Sequence, residues 1–445
     1  MNVSHPILLR IALLATVAVG LLACASSAAA AAGWTQTTPG FGKFYLGVEY
    51  LDANYGWLVG EDQIVLRTTD GGAHFQQQHL DEAVGWALHA IQMMDRNVGW
   101  TVGNAGYIFH TANGGLTWTR QESPTNGPLM DLCMLNTSQG WIVGPSSDLY
   151  FTTNGGADPD GPGGTTGWTL RNAGVPTGVD DIWFNGVDFP DPMHGWAVGE
   201  DYYPGPNPDA PYYARIYATA NGGSSWVSQL PSRTSVQGSF NDVAFVDAVH
   251  GWACGYNYEA PMGYRGLMYH TSDGQTWTRQ QLPADVDELN RMYFASPNVG
   301  WVVGDDVILA TTDGGATWTR ESSPDRYNGI LTDVDFIDAT HGWASGYGDR
   351  LMKRGAALPA KPALTSLKPR SGKRGTLVTL TGTQFGAMRG TSSVRFGGVA
   401  CTKYVFWSAT QVWCKVPARA PFGTVAVAVR TAAGTSNTKS FTVKR

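Results

Sequence analysis

Short strand-like segments alternate with glycine-rich turns along residues 34–355, and the same order of segments recurs seven times. Each unit begins with alternating apolar and polar residues, as in Leu331-Thr332-Asp333-Val334-Asp335-Phe336, and continues into a Gly-Trp-x-x-Gly string. The tryptophans of these strings are 41 to 56 residues apart and lie at Trp57, Trp100, Trp141, Trp196, Trp252, Trp301 and Trp343. A two-residue alternation predicts strands, and a repeat of about 40 residues or more is typical of a four-stranded propeller blade.

A second string, Thr-x-Asp-Gly or Thr-x-Asn-Gly, follows in six of the seven units; its clearest copy runs from Thr311 to Trp318. Asn, Asp and Gly tolerate the positive φ angles of tight turns, so the string predicts a hairpin turn. We expect its acidic or amide residue to be structural in every copy. These residues are Asp70, Asn113, Asn154, Asn221, Asp273 and Asp313.

The turn string resembles the Asp-box (BNR) repeat of sialidase-like propellers. The whole unit of strand, Gly-Trp-x-x-Gly and box resembles the repeat of the photosystem II stability/assembly factor family. The resemblance implies a propeller fold and a role in holding another protein during assembly. It covers about residues 34 to 355, and a shared fold does not by itself fix a function.

The seventh unit has no box and no closing tryptophan strand after Leu351-Met352-Lys353-Arg354. Gly33-Trp34-Thr35, at the other end of the repeat region, matches the Gly-x-x-Trp-Thr that ends other units. We therefore predict an all-β fold in which residues 33–357 form a seven-bladed propeller and the N-terminal strand completes blade seven.

Residues 1–32 have the composition of an export signal, with Arg10 before an apolar run from Ile11 to Ala23. Two interpretations of its end stay open. Leu21-Leu22-Ala23-Cys24 resembles a bacterial lipobox, which implies a lipid on Cys24, whereas Ala30-Ala31-Ala32 suits ordinary cleavage. Both predict a protein outside the cytoplasmic membrane, either secreted or lipid-anchored at the cell surface.

A Pro-Ala linker at residues 358–362 precedes a second domain at residues 363–445. Pro369-x-Ser371-Gly372, Val394-x-Phe396-Gly397 and Val416-Pro417 resemble an IPT/TIG domain, which implies an immunoglobulin-like β-sandwich. Cys401 and Cys414 are 13 residues apart in this domain, and an exported protein meets oxidising conditions, so we predict a disulfide between them. No cysteine or histidine spacing suggests a zinc site, and we expect neither metal nor cofactor.

Charge divides the chain in two. Residues 361–445 hold 14 Lys and Arg and no Asp or Glu, so the rest of the chain holds 16 bases and all 36 acids. The basic domain suits an anionic wall polymer or a membrane surface, and the alternative is that it docks on its own acidic propeller. No nucleic-acid partner is expected, because the signal directs the chain away from nucleic acid.

Loops after the Gly-Trp-x-x-Gly strings share one propeller face, and they carry carboxylates in most units. We expect these carboxylates to form a rim that binds cations or hydroxyl groups. The alternative is that they only form ion pairs within their own blades. Two longer loops on this face are rich in tyrosine, which either stacks on a sugar or peptide partner or packs down to stiffen the loop. The candidate binding residues are Glu61, Asp62, Glu200, Asp201, Glu259, Asp305, Asp306, Tyr202, Tyr203, Tyr212, Tyr213, Tyr256, Tyr258 and Tyr264.

The sequence thus predicts a non-enzymatic binding or scaffold protein with a protein or cell-surface glycan partner. One alternative is an assembly factor for a membrane protein complex. Another is a carbohydrate-active hydrolase, since two rim carboxylates about 5 to 10 Å apart would suffice for glycoside hydrolysis. The sialidase family has an Arg-Ile-Pro string near its first blade, whereas the nearest string here is Arg215-Ile216-Tyr217 in blade four, so that motif is not matched. No catalytic residue is assigned.

Overall fold

The computed structural model describes residues 33–445 except 81–84, 159, 161–164, 178–180, 203–211, 232–234, 260–262, 322–328, 356–361, 387–388, 390–391 and 432–433. It also leaves undescribed the side chains of residues 202, 258, 259, 263 and 434. The predicted export signal with Cys24, and all but one residue of the predicted linker, lie outside the described residues.

The described strands of the repeat region form seven sheets, in which consecutive strands of the chain are neighbours except for the first and the sixth strand, which pair at the outer edges of blades seven and two. The chain enters with β1 (Trp34–Thr37). Blade one has β2 (Tyr45–Tyr50), β3 (Gly56–Gly60), β4 (Val65–Thr68) and β5 (Gln76–Gln77). Blade two has β7 (Leu88–Met93), β8 (Gly99–Gly103), β9 (Ile108–Thr111) and β10 (Thr117–Gln121), with a short strand β6 (His79–Leu80) parallel to β10. Blade three has β11 (Asp131–Met134), β12 (Gly140–Gly144), β13 (Asp148–Gly156) and β14 (Gly167–Leu170).

The remaining blades repeat this order. Blade four has β15 (Ile182–Asp188), β16 (Gly195–Tyr202), β17 (Tyr212–Thr219) and β18 (Val227–Ser228). Blade five has β19 (Ser239–Phe245), β20 (Gly251–Glu259), β21 (Gly263–Thr271) and β22 (Thr278–Arg279). Blade six has β23 (Leu289–Phe294), β24 (Gly300–Gly304), β25 (Val307–Thr311) and β26 (Thr319–Arg320), and blade seven has β27 (Leu331–Asp338), β28 (His341–Gly346) and β29 (Arg350–Arg354). Two 3-10 turns, Glu61–Gln63 and Asn104–Gly106, follow β3 and β8.

The first strand completes the seventh blade, as the sequence predicts. β1 pairs antiparallel with β29, and Trp34 lies opposite Arg354. The Trp34 ring meets Phe336 edge-on at 5.8 Å, and its Nε1 donates to Glu321 at 2.7 Å. The two ends of the repeat region therefore share one sheet, which closes the ring.

Each Gly-Trp string places its tryptophan between two blades. Trp196 of blade four stacks on Phe245 of blade five at 3.5 Å, and Trp343 of blade seven stacks on Tyr50 of blade one at 3.7 Å. The preceding glycine is required by packing, because a Cβ at Gly195 would overlap the Phe189 ring. The repeated string is thus a contact between neighbouring sheets, and burial of such large rings contributes much of the core's stability.

The box residues make hydrogen bonds within their turns. In the copy at Asp313, the Thr311 hydroxyl donates to the carboxylate at 2.8 Å, and the carboxylate accepts the Thr317 amide at 2.9 Å. Gly315 has a φ of 87°, which favours glycine. Equivalent threonine-to-box contacts of 2.8 to 3.0 Å occur at Asp70, Asn113, Asn154, Asn221 and Asp273.

The C-terminal domain has two sheets around one core. One is ordered β30 (Ala363–Lys368), β32 (Leu377–Thr383), β36 (Gln411–Lys415) and β35 (Tyr404–Trp407). The other contains β31 (Ser371–Lys373), β33 (Ser393–Phe396), β34 (Val399–Ala400), β37 (Gly423–Thr431), β38 (Gly434–Thr435) and β39 (Lys439–Lys444). Cys401 and Cys414 lie in the core with free thiols, their sulfur atoms 3.4 Å apart, and the disulfide between them stays a prediction.

A candidate partner-binding face around the central channel

The innermost strand of each blade lines a central channel. These strands are β2, β7, β11, β15, β19, β23 and β27. A cavity of about 410 Å³, here called the mouth cavity, lies among residues at their starts, including Asn185, Asn241, Asn290 and Thr332. A second cavity of about 360 Å³ lies further along the same strands. Both cavities are lined by His89 and Arg291, so they follow one another along the channel.

An inner strand is bonded to its own sheet on one side only, and polar side chains from the preceding blade cover its other edge. Asn241 Nδ2 donates to the Leu289 carbonyl at 3.0 Å, and Thr332 Oγ1 donates to the Tyr45 carbonyl at 2.6 Å. Asn185 and Asn290 make the same contact to the blade that follows each of them. These side chains at the cavity wall therefore hold the blades together.

Carboxylates in the channel cover the edge amides in the same manner. Asp333 accepts the Val48 amide at 2.7 Å, Asp242 accepts the Met292 amide at 2.8 Å, and Asp188 accepts the Phe245 amide at 2.6 Å. Burial, strengthened by neighbouring carboxylates, raises the pKa of Asp188 to about 7 and that of Asp333 to about 7. The channel acids are thus structural groups that retain protons at unusually high pH.

Arg291 is the guanidinium in the lining of the second cavity. Its Nη1 lies 3.0 Å from Asp242 and 3.4 Å from Asp131, so it joins carboxylates of blades three and five. The same cavity is also lined by four further acids, so carboxyl groups outnumber the Arg291 guanidinium there: Glu49, Asp188, Asp333 and Asp335. Acidic side chains therefore predominate in the lining of this cavity.

Three carboxylates stand at the entrance of the channel: Glu288 and Asp305, which line the mouth cavity, and Glu200 beside them. Glu288 accepts from Asn241 Nδ2 at 2.9 Å, and Glu200 lies 3.5 Å from the Tyr256 hydroxyl. Burial raises the pKa of each, and Glu288 raises that of Glu200 further while Asp305 raises that of Glu288. Within the described part of the chain, none of the three forms an ion pair.

Aromatic side chains surround these carboxylates. Phe44, just before β2, stacks on Tyr347, just after β28, with ring centres 4.6 Å apart, and each ring is 38% exposed. Trp183 at the start of blade four is also exposed, and Tyr256 meets Tyr264 edge-on at 4.9 Å. We call the carboxylates and aromatics together the mouth face: Phe44, Trp183, Glu200, Tyr256, Tyr264, Glu288, Asp305 and Tyr347.

The structure separates the predicted binding residues into groups. Glu200, Asp305, Tyr256 and Tyr264 belong to the mouth face, and Tyr212 is exposed nearby at the start of β17. Glu61 accepts the Phe44 amide at 3.2 Å, at the edge of this face. Side chains of Tyr202, Tyr203, Tyr258 and Glu259 lie outside the described part of the structure.

The prediction that Asp201 and Tyr213 are accessible for binding is wrong, because both side chains are buried. Asp201 is 2% exposed and pairs with Arg215 at 2.5 Å, and Tyr213 is 8% exposed. They lie opposite each other on the paired strands β16 and β17, which extend into the predicted loop, so both side chains fall on the buried side of the sheet. Asp62 pairs with Lys43, and Asp306 accepts the Gly329 amide at 2.7 Å, so both stabilise loops.

Sequence reasoning missed Phe44, Trp183, Glu288 and Tyr347. Each of the first three lies one residue before the inner-strand residue that pairs with the last glycine of its Gly-Trp string, so they occupy matching positions in blades one, four and six. Alignment of the seven inner strands would have placed them on one ring. The loop carboxylates were found because they follow the conspicuous Gly-Trp strings.

Over the described ranges, no three His, Cys, Asp or Glu side chains are placed to hold a metal ion. Among the same residues there is also no helix with the length and hydropathy that a membrane span requires.

Comparisons with known proteins agree on two domains. A family model described as photosynthesis system II assembly factor YCF48 matches residues 26–128 and 224–329, and one described as the IPT/TIG domain matches residues 362–443. None of the curated proteins matches the chain.

Solved structures show the same fold. YCF48 bound to a D1 peptide is 16% identical, with a TM-score of 0.54 over 73% of this chain and 97% of that one. YCF48 from Cyanidioschyzon merolae is 19% identical, with a TM-score of 0.55 over 73% of this chain and 99% of that one. The WD40 propeller of Doa1 is 10% identical, with a TM-score of 0.51 over 73% of this chain and 96% of that one. At these identities the similarity concerns the fold alone.

Proposed function

From a YCF48-like propeller joined to an IPT/TIG domain, we propose that this chain is a binding or assembly factor whose mouth face holds a basic segment of a partner protein. The observation that carries the proposal is a group of three carboxylates at the mouth of the channel, Glu200, Glu288 and Asp305, for which the described residues supply no ion-pair partner. Such groups repel one another until a cation compensates them. A lysine or arginine side chain entering the 410 Å³ cavity would supply that compensation.

The surrounding aromatics suit a protein partner. Phe44 and Tyr347 form an exposed stacked pair, and Trp183 is exposed beside Glu200. Exposed aromatic anchors around a desolvated centre are the usual arrangement of an interface that depends on a few residues. The YCF48 structure with a D1 peptide supports the idea that a propeller of this fold accommodates a peptide.

The proposal also covers the location of the protein and the role of its C-terminal domain. The signal-like residues 1–32 support a location outside the cytoplasmic membrane, secreted or lipid-anchored at Cys24. The IPT/TIG domain, with 14 bases and no acid from residue 361 onward, would space the propeller from a surface or attach it there.

The test uses residues 33–445 and a library of short peptides of varied charge. We expect peptides with lysine or arginine to bind, and the pair Glu288→Gln/Asp305→Asn to weaken binding by about tenfold or more, as loss of charge-assisted contacts does. The matched control is Asp247→Asn/Asp338→Asn, which removes two carboxylates from the turns that cap His250 and His341. The proposal would be refuted if both double variants lost the same amount of peptide affinity, or if only acidic peptides bound.

A further inference from the structure

The C-terminal domain exposes aromatic side chains on the outer side of one sheet. In β32 and β36 the inward residues Val378, Val412 and Cys414 are fully buried. The alternating outward residue Trp413 is 37% exposed, and Phe406 of β35 is 42% exposed. Their ring centres are 5.1 Å apart and their planes are inclined by 43°, so the two rings adjoin and together form an apolar platform.

Strand register places lysines and a threonine beside this platform. Lys368 pairs with Thr379, Thr379 pairs with Trp413, and Trp413 pairs with Phe406, which makes one row across four strands. Leu377 pairs with Lys415 in the next row. We call this surface the aromatic sheet face: Lys368, Leu377, Thr379, Phe406, Trp413 and Lys415.

Charge restricts what this face can bind. Residues 361–445 contain no Asp or Glu, so no carboxylate side chain of the domain competes for the lysines of the face. A polyanion is therefore attracted to the whole domain and held at the lysines. The rings require in addition a ligand with flat apolar surfaces, which a bare ion or phosphate does not have.

We propose that the aromatic sheet face binds an acidic polysaccharide of the cell surface. The C–H faces of its sugar rings would stack on Trp413 and Phe406, and its carboxylates or sulfates would pair with Lys368 and Lys415. Thr379 and Gln411, both half-buried on the same side of the sheet, offer hydrogen bonds to sugar hydroxyls. A lipid bilayer fits less well, because its interior would have to accept these polar groups.

This inference rests on the attachment role proposed above and identifies its ligand. It is independent of the mouth face, since it involves different residues in a different domain. The two proposals can therefore fail separately.

The experiment uses residues 33–445 and polygalacturonate, with neutral pullulan as the comparison polymer. We expect polygalacturonate to bind, pullulan to bind weakly, and Trp413→Ala/Phe406→Ala to weaken polygalacturonate binding by about tenfold or more. Trp413→Phe retains a ring and should keep most of the affinity. Phe422→Ala, an exposed ring covered by Arg374, is the matched aromatic control and should bind normally.

Two pairs of lysine substitutions distinguish binding at the aromatic sheet face from non-specific attraction to the basic domain. Lys368→Gln/Lys415→Gln should weaken binding, whereas Lys439→Gln/Lys444→Gln, on an exposed strand of the other sheet, should weaken it less. Each variant should keep its melting temperature and its affinity for basic peptides at the mouth face. Equal effects of the two lysine pairs, no effect of the aromatic change, or preferred binding of poly(dT) or anionic vesicles through the same rings would overturn the proposal.

Discussion

At the scale of single residues, buried carboxyl groups connect the stability of the ring to pH. Asp188 lies in the channel and accepts the Phe245 amide of the next blade. Its pKa is raised to about 7, whereas an unfolded aspartate titrates near 4. Between those values the folded state binds the proton more strongly, so this group stabilises the fold at low pH and the contribution is lost as pH rises towards about 7.

The predicted consequence concerns Asp188→Asn, whose amide oxygen can still accept from Phe245 but does not titrate. Burial lowers the pKa of His89 to about 4, so this histidine makes the fold more stable as pH rises towards 6.5, which is opposite to the effect of Asp188. The contribution of His89 is the same in the original chain and in the variant, so it cancels when their melting temperatures are subtracted. We expect the melting temperature of the variant to rise relative to the original chain between pH 5 and 8. Each kcal/mol would appear as about 2–4 °C. A difference in melting temperature that does not change with pH would contradict the assignment.

At the scale of elements, β1 closes the ring by occupying the free edge of β29. Deletion of residues 33–38 should expose that edge and remove Trp34 from the core between blades six and seven. We expect a loss of about 3 kcal/mol or more in urea unfolding, as for removal of a buried tryptophan. Thr35→Ala, exposed on the same strand, is the control and should change stability little. Equal unfolding midpoints for the deletion and the control would show that closure does not depend on β1.

The sulfur atoms of Cys401 and Cys414 already lie within 3.4 Å in the folded domain. We expect the exported protein to contain a disulfide there, and reduction to lower the stability of the domain by about 3 kcal/mol in the chain-entropy account. Mass spectrometry of non-reduced peptides should detect the linked pair. Cys401→Ala/Cys414→Ala should be insensitive to reductant, and two free thiols in the exported protein would contradict the prediction.

At the scale of the whole molecule, acids outnumber bases 36 to 16 before residue 361, and the rest is purely basic. Burial raises the pKa values of Glu200, Glu288 and Asp305, so these three carboxyl groups hold their protons to higher pH than exposed carboxyl groups do. A cationic peptide requires the ionised groups, so its affinity should rise with pH above the ordinary range of a glutamate and then level off. Titration calorimetry between pH 4.5 and 7.5 measures this. The pair Glu288→Gln/Asp305→Asn should flatten the profile, and a profile unchanged by that pair would contradict the assignment.

The sequence by itself determined the seven blades, the closure by Trp34, the box turns at residues such as Asp313 and the second β domain. These features follow from local rules, because strand alternation and turn residues act within a few positions along the chain. It also placed Glu200, Asp305 and Tyr256 on one face, since each follows a recognisable string.

Only the tertiary structure decided which side chains remain accessible on that face. It paired Asp201 with Arg215 in the interior, added Glu288 to the mouth cavity and stacked Phe44 on Tyr347. Phe44 and Tyr347 are 303 positions apart and meet only because the ring closes. Exposure and pKa depend on neighbours that different blades contribute, and a repeat pattern read along one chain does not contain those contacts.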